Sequence, residues 1–189
     1  NGGNAGVQEG QATTTGYMLF KRFNRSISKT SPGVASQNRP SIIFRLADFY
    51  LIYAEVANEV NPSDSRVLTY LNLVRERAGL PKVEILNPGI VGNKELQRAA
   101  IQRERQIELA TEGQRYFDVR RWMIADKDGE GRQNGYAHGM NVRGTINDTE
   151  EFNRVVETEK IVFNRKMYLQ PIPDHEMRKT QNLVQNPGW

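Results

Sequence analysis

Ser41-Ile-Ile-Phe-Arg-Leu-Ala-Asp-Phe-Tyr-Leu-Ile-Tyr-Ala-Glu-Val-Ala-Asn58 carries apolar side chains at Ile42, Ile43, Leu46, Phe49, Tyr50, Tyr53, Ala54 and Ala57. Gaps of three and four residues mark one face of an α-helix. The stretch therefore predicts a buried helix over Ser41–Asn58, with Ser41 capping its free amides. Asn61-Pro62 stops it, because proline has no amide hydrogen for the next helical bond. Ser63 to Ala78 repeats the pattern, with Val67, Leu71, Val74 and Ala78 on one face. Gly79 suits a left-handed C-terminal cap, and Pro81 prevents continuation. Two helices joined by about five residues pack antiparallel as an αα-hairpin. Its size is that of a tetratricopeptide unit, although one pair does not make a repeat. The expected fold is mainly α: this hairpin, further helices, long irregular loops and little β structure.

Outward from the hairpin the signals are shorter. Asn93 is placed to cap a third helix from Lys94 to about Glu112, with Leu96, Ala100 and Ile107 on its apolar side and Gly113 ending or bending it. Arg115 to Met123 reads as a short fourth helix, and Tyr116, Phe117 and Trp122 join Tyr50 and Tyr53 as expected core aromatics. Lys127 to Asn147 is rich in Gly, Asn and Asp and is expected as a surface excursion. Ile161 to Leu169 is expected extended, and Pro171-Ile172-Pro173 holds its neighbours extended as well. Asp174 then caps a helical turn, and Asn186-Pro187-Gly188-Trp189 forms a turn carrying one large aromatic. Upstream, Tyr17 to Phe23 favours a short strand. Residues 1–40 read mostly as a loop or extended N-terminal segment, and 41–189 as the helical region.

The chain has 189 residues, 26 basic and 22 acidic, for a formal charge of +4; 38% of residues are hydrophobic. A core can form from this composition. Eighteen of the cations are Arg, and between Arg98 and Arg121 six Arg alternate with four acids. Nucleic-acid binders gather their cations into a patch, whereas mixed signs fit salt-bridged helix faces, so no nucleic-acid partner is expected. There is no cysteine, which excludes disulfides, thiol catalysis and Cys-ligated zinc within these residues. No apolar run approaches the roughly 18 residues of a membrane span. The first residue is Asn1, and nothing near it resembles a secretory leader. The chain is expected to be a piece of a longer protein.

The carboxylates decide what chemistry is open. Glu104, Glu108 and Glu112 recur every four residues, so they stack on one helix face and repel one another. Di-iron bundles place such glutamates with Glu-x-x-His motifs, but His138 and His175 are the only histidines and neither stands in that pattern. No metal or other cofactor is expected. The favoured reading is an ion-pair network of Glu104, Arg105, Glu108, Glu112, Arg115, Asp118, Arg120 and Arg121, with Arg45 or Arg75 as further cations, because a guanidinium matches two carboxylate oxygens. The chain has no Gly-x-Ser-x-Gly elbow, phosphate loop or His-Glu-x-x-His, and no catalytic residues are assigned. Aromatic faces bind sugar rings; Tyr136, with Asn134 and His138 beside it, is the candidate ligand contact.

The order of the motifs resembles that of the SusD/RagB family. Arg45-Leu-Ala-Asp-Phe-Tyr-Leu-Ile-Tyr-Ala-Glu55 and Leu71-Asn-x-Val-Arg-x-Arg-Ala-Gly-Leu-Pro81 resemble the start of that family's C-terminal portion. Glu104-Arg-x-x-Glu-Leu-x-x-Glu-Gly-x-Arg-x-x-Asp-x-Arg-Arg-Trp122 resembles its most recognisable stretch, and Tyr168-Leu-x-Pro-Ile-Pro173 with Asn182-x-x-Gln-Asn-Pro-Gly-Trp189 its ending. The resemblance implies a tetratricopeptide-like helical, non-enzymatic lipoprotein on the outer face of a Bacteroidetes outer membrane, anchored through a Cys absent from these residues. It implies glycan binding, or peptide binding in some members, and a SusC/RagA-like TonB-dependent transporter as partner, with the remainder of a longer chain completing the protein. The alternative is a helical protein-interaction scaffold without a small ligand. Under the resemblance the Glu/Arg block is scaffold and not binding site, and no ligand residue transfers by motif.

Overall fold

A computed structural model describes residues 17, 21, 41–127, 134–141 and 155–189. The expected strand at Tyr17–Phe23 and the rest of the 1–40 segment lie outside these residues, apart from Tyr17 and Lys21. The described residues are mainly helical, with one two-stranded sheet. They fall into two compact units, Arg39–Asp118 and Val119–Trp189.

The first unit holds α1 (Leu46–Val60), α2 (Arg66–Arg77), the short α3 (Val83–Leu86), a 3-10 turn at Pro88–Ile90 and α4 (Lys94–Glu108). α1 starts at Leu46, and Ser41 does not cap it. Arg45 immediately before it is extended, with φ −149° and ψ 166°. Its guanidinium is held by Glu108 and Glu112, which fixes that backbone outside the helix. The buried face also differs from the one expected. Ala47, Asp48, Leu51, Ala54 and Asn58 are buried. Leu46 and Phe49 are 62% and 55% exposed, and Ile42, Ile43 and Tyr53 are exposed too. α1 is apolar on nearly every side, so spacing alone leaves its inner face ambiguous. Polar partners mark the inner one: Asn58 Nδ2 donates to the Lys94 carbonyl at 3.0 Å, and Asp48 Oδ1 accepts from Arg105. Opposite it, Phe49, Ile52, Tyr53, Val56 and Val60 stand exposed along the helix.

α2 buries Val67, Leu71 and Val74 as the spacing predicts, although Ala78 is an exposed C-cap. Gly79 follows at φ +76°, the left-handed turn expected of it. The helices run antiparallel. Arg45 ahead of α1 and Arg77 at the end of α2 both reach Glu108, while Tyr53 Oη midway along α1 accepts from Arg66 Nη1 at the start of α2. Leu51, Ala54, Val67, Leu71, Val74, Ile90 and Ile101 form the shared core.

α4 is capped by Asn93, whose Oδ1 accepts from Leu96 N at 3.2 Å. It ends at Glu108 instead of Glu112, and the chain turns through Thr111 (φ 67°) and Gly113 (φ 83°). Its inner face is Gln97, Ile101, Glu104 and Arg105. The expected Leu96 and Ile107 are exposed, and Ala100 packs only partly, because ion pairs occupy the interior. α5 (Gln114–Arg121) follows. Tyr116 and Phe117 are exposed rather than core, their rings edge to face at 5.2 Å, and Trp122 is half-buried. A helix of eight residues turns only Asp118 and Val119 fully inward.

The second unit is built on a smaller core of Val119, Ala125 and Phe163, with Ile124, Met167 and Tyr168 packed on it. The expected excursion contains a strand, β1 (Gly135–Met140), paired antiparallel with β2 (Val155–Ile161), with a register irregularity between Tyr136 and His138. Ile161 therefore ends an extended run where it was expected to begin one. A 3-10 turn, Arg165–Tyr168, follows. Asp174 is the first residue of α6 (Asp174–Met177), and Pro173 holds the cap position without a side-chain bond. Trp189 N donates to the Asn186 carbonyl at 3.2 Å, closing the expected turn. Its indole N–H lies 3.0 Å from the carbonyls of both Lys166 and Leu169, and Lys166 Nζ sits 4.2 Å from the ring centre.

Candidate functional site

The clustered carboxylates lie against guanidinium groups. Glu104 Oε2 accepts from Arg75 Nη1 at 2.8 Å. Glu108 Oε1 accepts from Arg45 Nη1 and Arg77 Nη2, each at 2.5 Å. Glu112 takes Arg45 Nε at 2.8 Å, and Arg45 Nη2 reaches the Glu108 carbonyl at 2.6 Å. Arg45 thus bridges two glutamates four residues apart, and its own affinity for its proton rises, first through the bond to Glu112. Arg105, 2% exposed, serves two aspartates: Asp118 on one side, and Asp48 through Nη1 at 2.8 Å on the other.

The cations on the glutamates include Arg45 and Arg75, and also Arg77, which the sequence does not single out, as it does not single out Asp48 as an acceptor. Arg105 stands with aspartates instead of the neighbouring glutamates. Arg120 lies 4.9 Å from the Phe163 ring centre and Arg121 4.7 Å from that of Trp122, while Arg115 is half-buried near the start of α5. These ion pairs, several of them buried, tie α1, α2 and α4 to one another.

The three loop candidates separate. Asn134 is a tie: its Oδ1 accepts from Phe163 N at 3.0 Å and its Nδ2 lies 3.5 Å from the Asp126 carbonyl. Tyr136 and His138 are exposed on β1, and Lys160 Nζ lies 5.7 Å from the Tyr136 ring centre. Tyr136 therefore keeps an accessible ring, whereas Asn134 is spent on the local fold.

Each unit also carries a cleft that sequence reasoning missed. In the second unit, Arg120, Met123, Tyr168, Leu169 and Pro187 border about 750 Å³. In the first, a cleft of about 410 Å³ of mixed character lies beside α2, lined by Leu68, Leu73, Asn72, Glu76, Glu84 and Gln97 among others. Two amides on helices, Asn72 and Gln97, gave no periodic signal that could single them out. Among the described residues no three His, Cys, Asp or Glu side chains are grouped to hold a metal, and no helix is long and apolar enough to cross a membrane.

Comparison with known proteins places this arrangement. The sequence model of the SusD family matches residues 1–189. SusD-like protein P25 of Formosa agariphila is 44% identical over 56% of this chain and 19% of its own length. SusD-like protein P2 of the same organism is 31% identical over 78% of this chain and 26% of its own. The chain thus spans about a fifth to a quarter of the curated relatives it matches. Among solved structures, BT4246 superposes with a TM-score of 0.64 at 34% identity, covering 81% of this chain and 25% of that one. A SusD-like protein (BF3747) from Bacteroides fragilis superposes at 0.62 and 31% identity, covering 79% and 26%. With its whole length matched and its helical frame shared, the chain belongs to the SusD family.

Proposed function

We propose that the protein containing this chain captures a glycan at the outer face of the outer membrane and passes it to a SusC/RagA-like TonB-dependent transporter, without covalent chemistry. Membership of a family of glycan-binding companions to such transporters carries the reading. The ion-pair frame adds to it. A hydrolase keeps one carboxyl protonated to donate and another free to attack or to activate water. Here Glu104, Glu108 and Glu112 each accept charged hydrogen bonds from Arg. Anchoring is through a lipidated cysteine outside these residues, and the helical frame orients the binding loops.

Native affinity electrophoresis tests the reading, with gels containing laminarin, galactomannan, xyloglucan, arabinogalactan or polygalacturonate. Retardation by at least one polysaccharide, with no release of reducing ends, supports it. Retention by none, with binding to a peptide library instead, gives the peptide-binding alternative. Retention by neither gives the scaffold.

A further inference from the structure

The cleft beside α2 contains an unanswered polar atom. Gln97 is 1% exposed, and its Oε1 has no hydrogen-bond partner among the described residues. A buried amide oxygen left without a donor costs about 1–3 kcal/mol, so native structures nearly always bring one to it. Gln97 is among the residues lining the cleft, so a donor held there would satisfy its oxygen once the amide turns toward the opening.

The rest of the lining selects the kind of donor. Asn72 is fixed on both sides: its Oδ1 accepts from Val83 N at 3.0 Å, and its Nδ2 donates to Glu84 Oε2 at 2.8 Å. That bond steadies the Glu84 carboxylate at the cleft. Glu76 adds a second carboxylate, with Lys82 Nζ only loosely paired to it at 3.6 Å. Asp64 is answered outside the cleft's own cations by Arg66, at 3.0 Å from Nε. Leu68 and Leu73 supply apolar surface. Apolar surface makes up the larger share of the lining, Glu84 is the acceptor that a neighbour holds in place, and the ionised groups there are mostly negative. A ligand that matches brings several hydroxyl donors and no anionic group of its own. A uronate or a sulfate ester would meet Glu76 and Glu84 charge against charge. At about 410 Å³ the space lies within the usual range of small-ligand pockets.

We propose that this cleft is a subsite for one or two rings of a neutral glycan, with Gln97 Oε1 accepting from a ring hydroxyl, the Glu76 and Glu84 carboxylates taking others, and Leu73 lying under the C–H face. The assignment rests on the glycan-binding reading above and names the part of the chain, and the class of glycan, that it concerns.

The test uses affinity electrophoresis on the five polysaccharides already named, with wild type, Gln97→Leu and Glu76→Gln. Glu76 is on the exposed side of α2, so Glu76→Gln leaves the core untouched, and thermal melts check that both variants are folded. Wild type is expected to be retarded by a neutral polysaccharide and less by polygalacturonate. The dissociation constant should rise at least tenfold in Gln97→Leu and about threefold in Glu76→Gln. Unchanged retardation of both folded variants overturns the subsite and leaves the glycan-binding reading standing; Gln97 then holds no more than a water. Retention of wild type by polygalacturonate alone overturns the neutral-glycan assignment with the same consequence. Retention by none of the five overturns the subsite together with the reading. If Gln97→Leu fails to fold, Glu76→Gln decides: full wild-type affinity in it overturns the subsite, and a threefold loss supports it.

Discussion

Arg105 donates from Nε and Nη2 to the two carboxylate oxygens of Asp118, at 2.9 and 3.1 Å, with both side chains buried. This planar, two-bond pairing is the geometry for which guanidinium and carboxylate are matched. It joins the last full turn of α4 to α5 across thirteen residues. Removing Asp118 leaves Arg105 with Asp48 through Nη1 and takes the acceptors of its Nε and Nη2 away in the interior. Asp118→Ala is therefore expected to lower unfolding stability by about 3–5 kcal/mol, measured by urea titration. Arg105→Met combined with Asp118→Leu should lose less than the sum of the single changes, because the pair acts as one unit.

Glu108 answers two guanidinium groups, Arg45 from ahead of α1 and Arg77 from the end of α2. Glu108→Ala is expected to cost about 1–3 kcal/mol, from the partners left without an acceptor. The melting temperature should fall correspondingly. A melting temperature unchanged within error would place this carboxylate among solvated surface charges. Glu108→Gln, which keeps an acceptor oxygen but loses the charge, should fall between.

Glu59 at the end of α1 reports on acid stability. The Arg98 guanidinium, with Lys94 assisting, holds its carboxyl down at about 2 from the ordinary 4.5. Its folded pKa is the lower one, so the unfolded chain binds its proton first as pH falls. The contribution is complete above about pH 4.5 and is lost as pH falls toward 2. Glu59 is 42% exposed at the side chain, so solvent screening keeps the effect under about 1 kcal/mol. Glu59→Gln should be less stable than wild type at pH 6, and the two should converge below pH 3 in matched denaturant titrations.

Gly79 holds φ +76°, and a Cβ built there meets nothing within 4 Å. A substitution is therefore resisted by backbone conformation and not by crowding. Gly79→Ala is expected to cost about 1–2 kcal/mol, read as a drop of several degrees in melting temperature, and Gly79→Asn less, since Asn tolerates the left-handed region better.

How much of this was legible follows from where each residue's partners lie. The α2 spacing of Val67, Leu71 and Val74 coincides with the face that packs, with Arg66, Thr69, Asn72 and Arg75 beside them although Leu68, Tyr70 and Leu73 are apolar too. In α1 apolar residues surround the helix, and period could not choose between the face of Leu51 and Ala54 and the face of Phe49 and Val56. The choice was made by Asp48 and Asn58, whose partners are 57 and 36 residues away. The Gly79 and Asn93 end signals are local, and they were readable; Ser41 misled because a distant carboxylate pair had claimed Arg45. The glutamate ladder announced that cations must come to it, but not that Arg77 would be one of them. The α2 cleft was invisible because Asn72 and Gln97 meet only in three dimensions. Pairing of β1 with β2 was hidden by Gly and Asn content, since its stability comes from a partner strand and not from its own propensities.

The exposed side of α1 also governs how this polypeptide behaves in the tube. Phe49, Ile52, Tyr53, Val56 and Val60 are spaced as neighbours along one helical flank, and water is pushed off such a strip more strongly as ammonium sulfate is added. Concentrated stocks will cloud first under salting-out conditions, and dilute, cold, sulfate-free buffers will keep them clear.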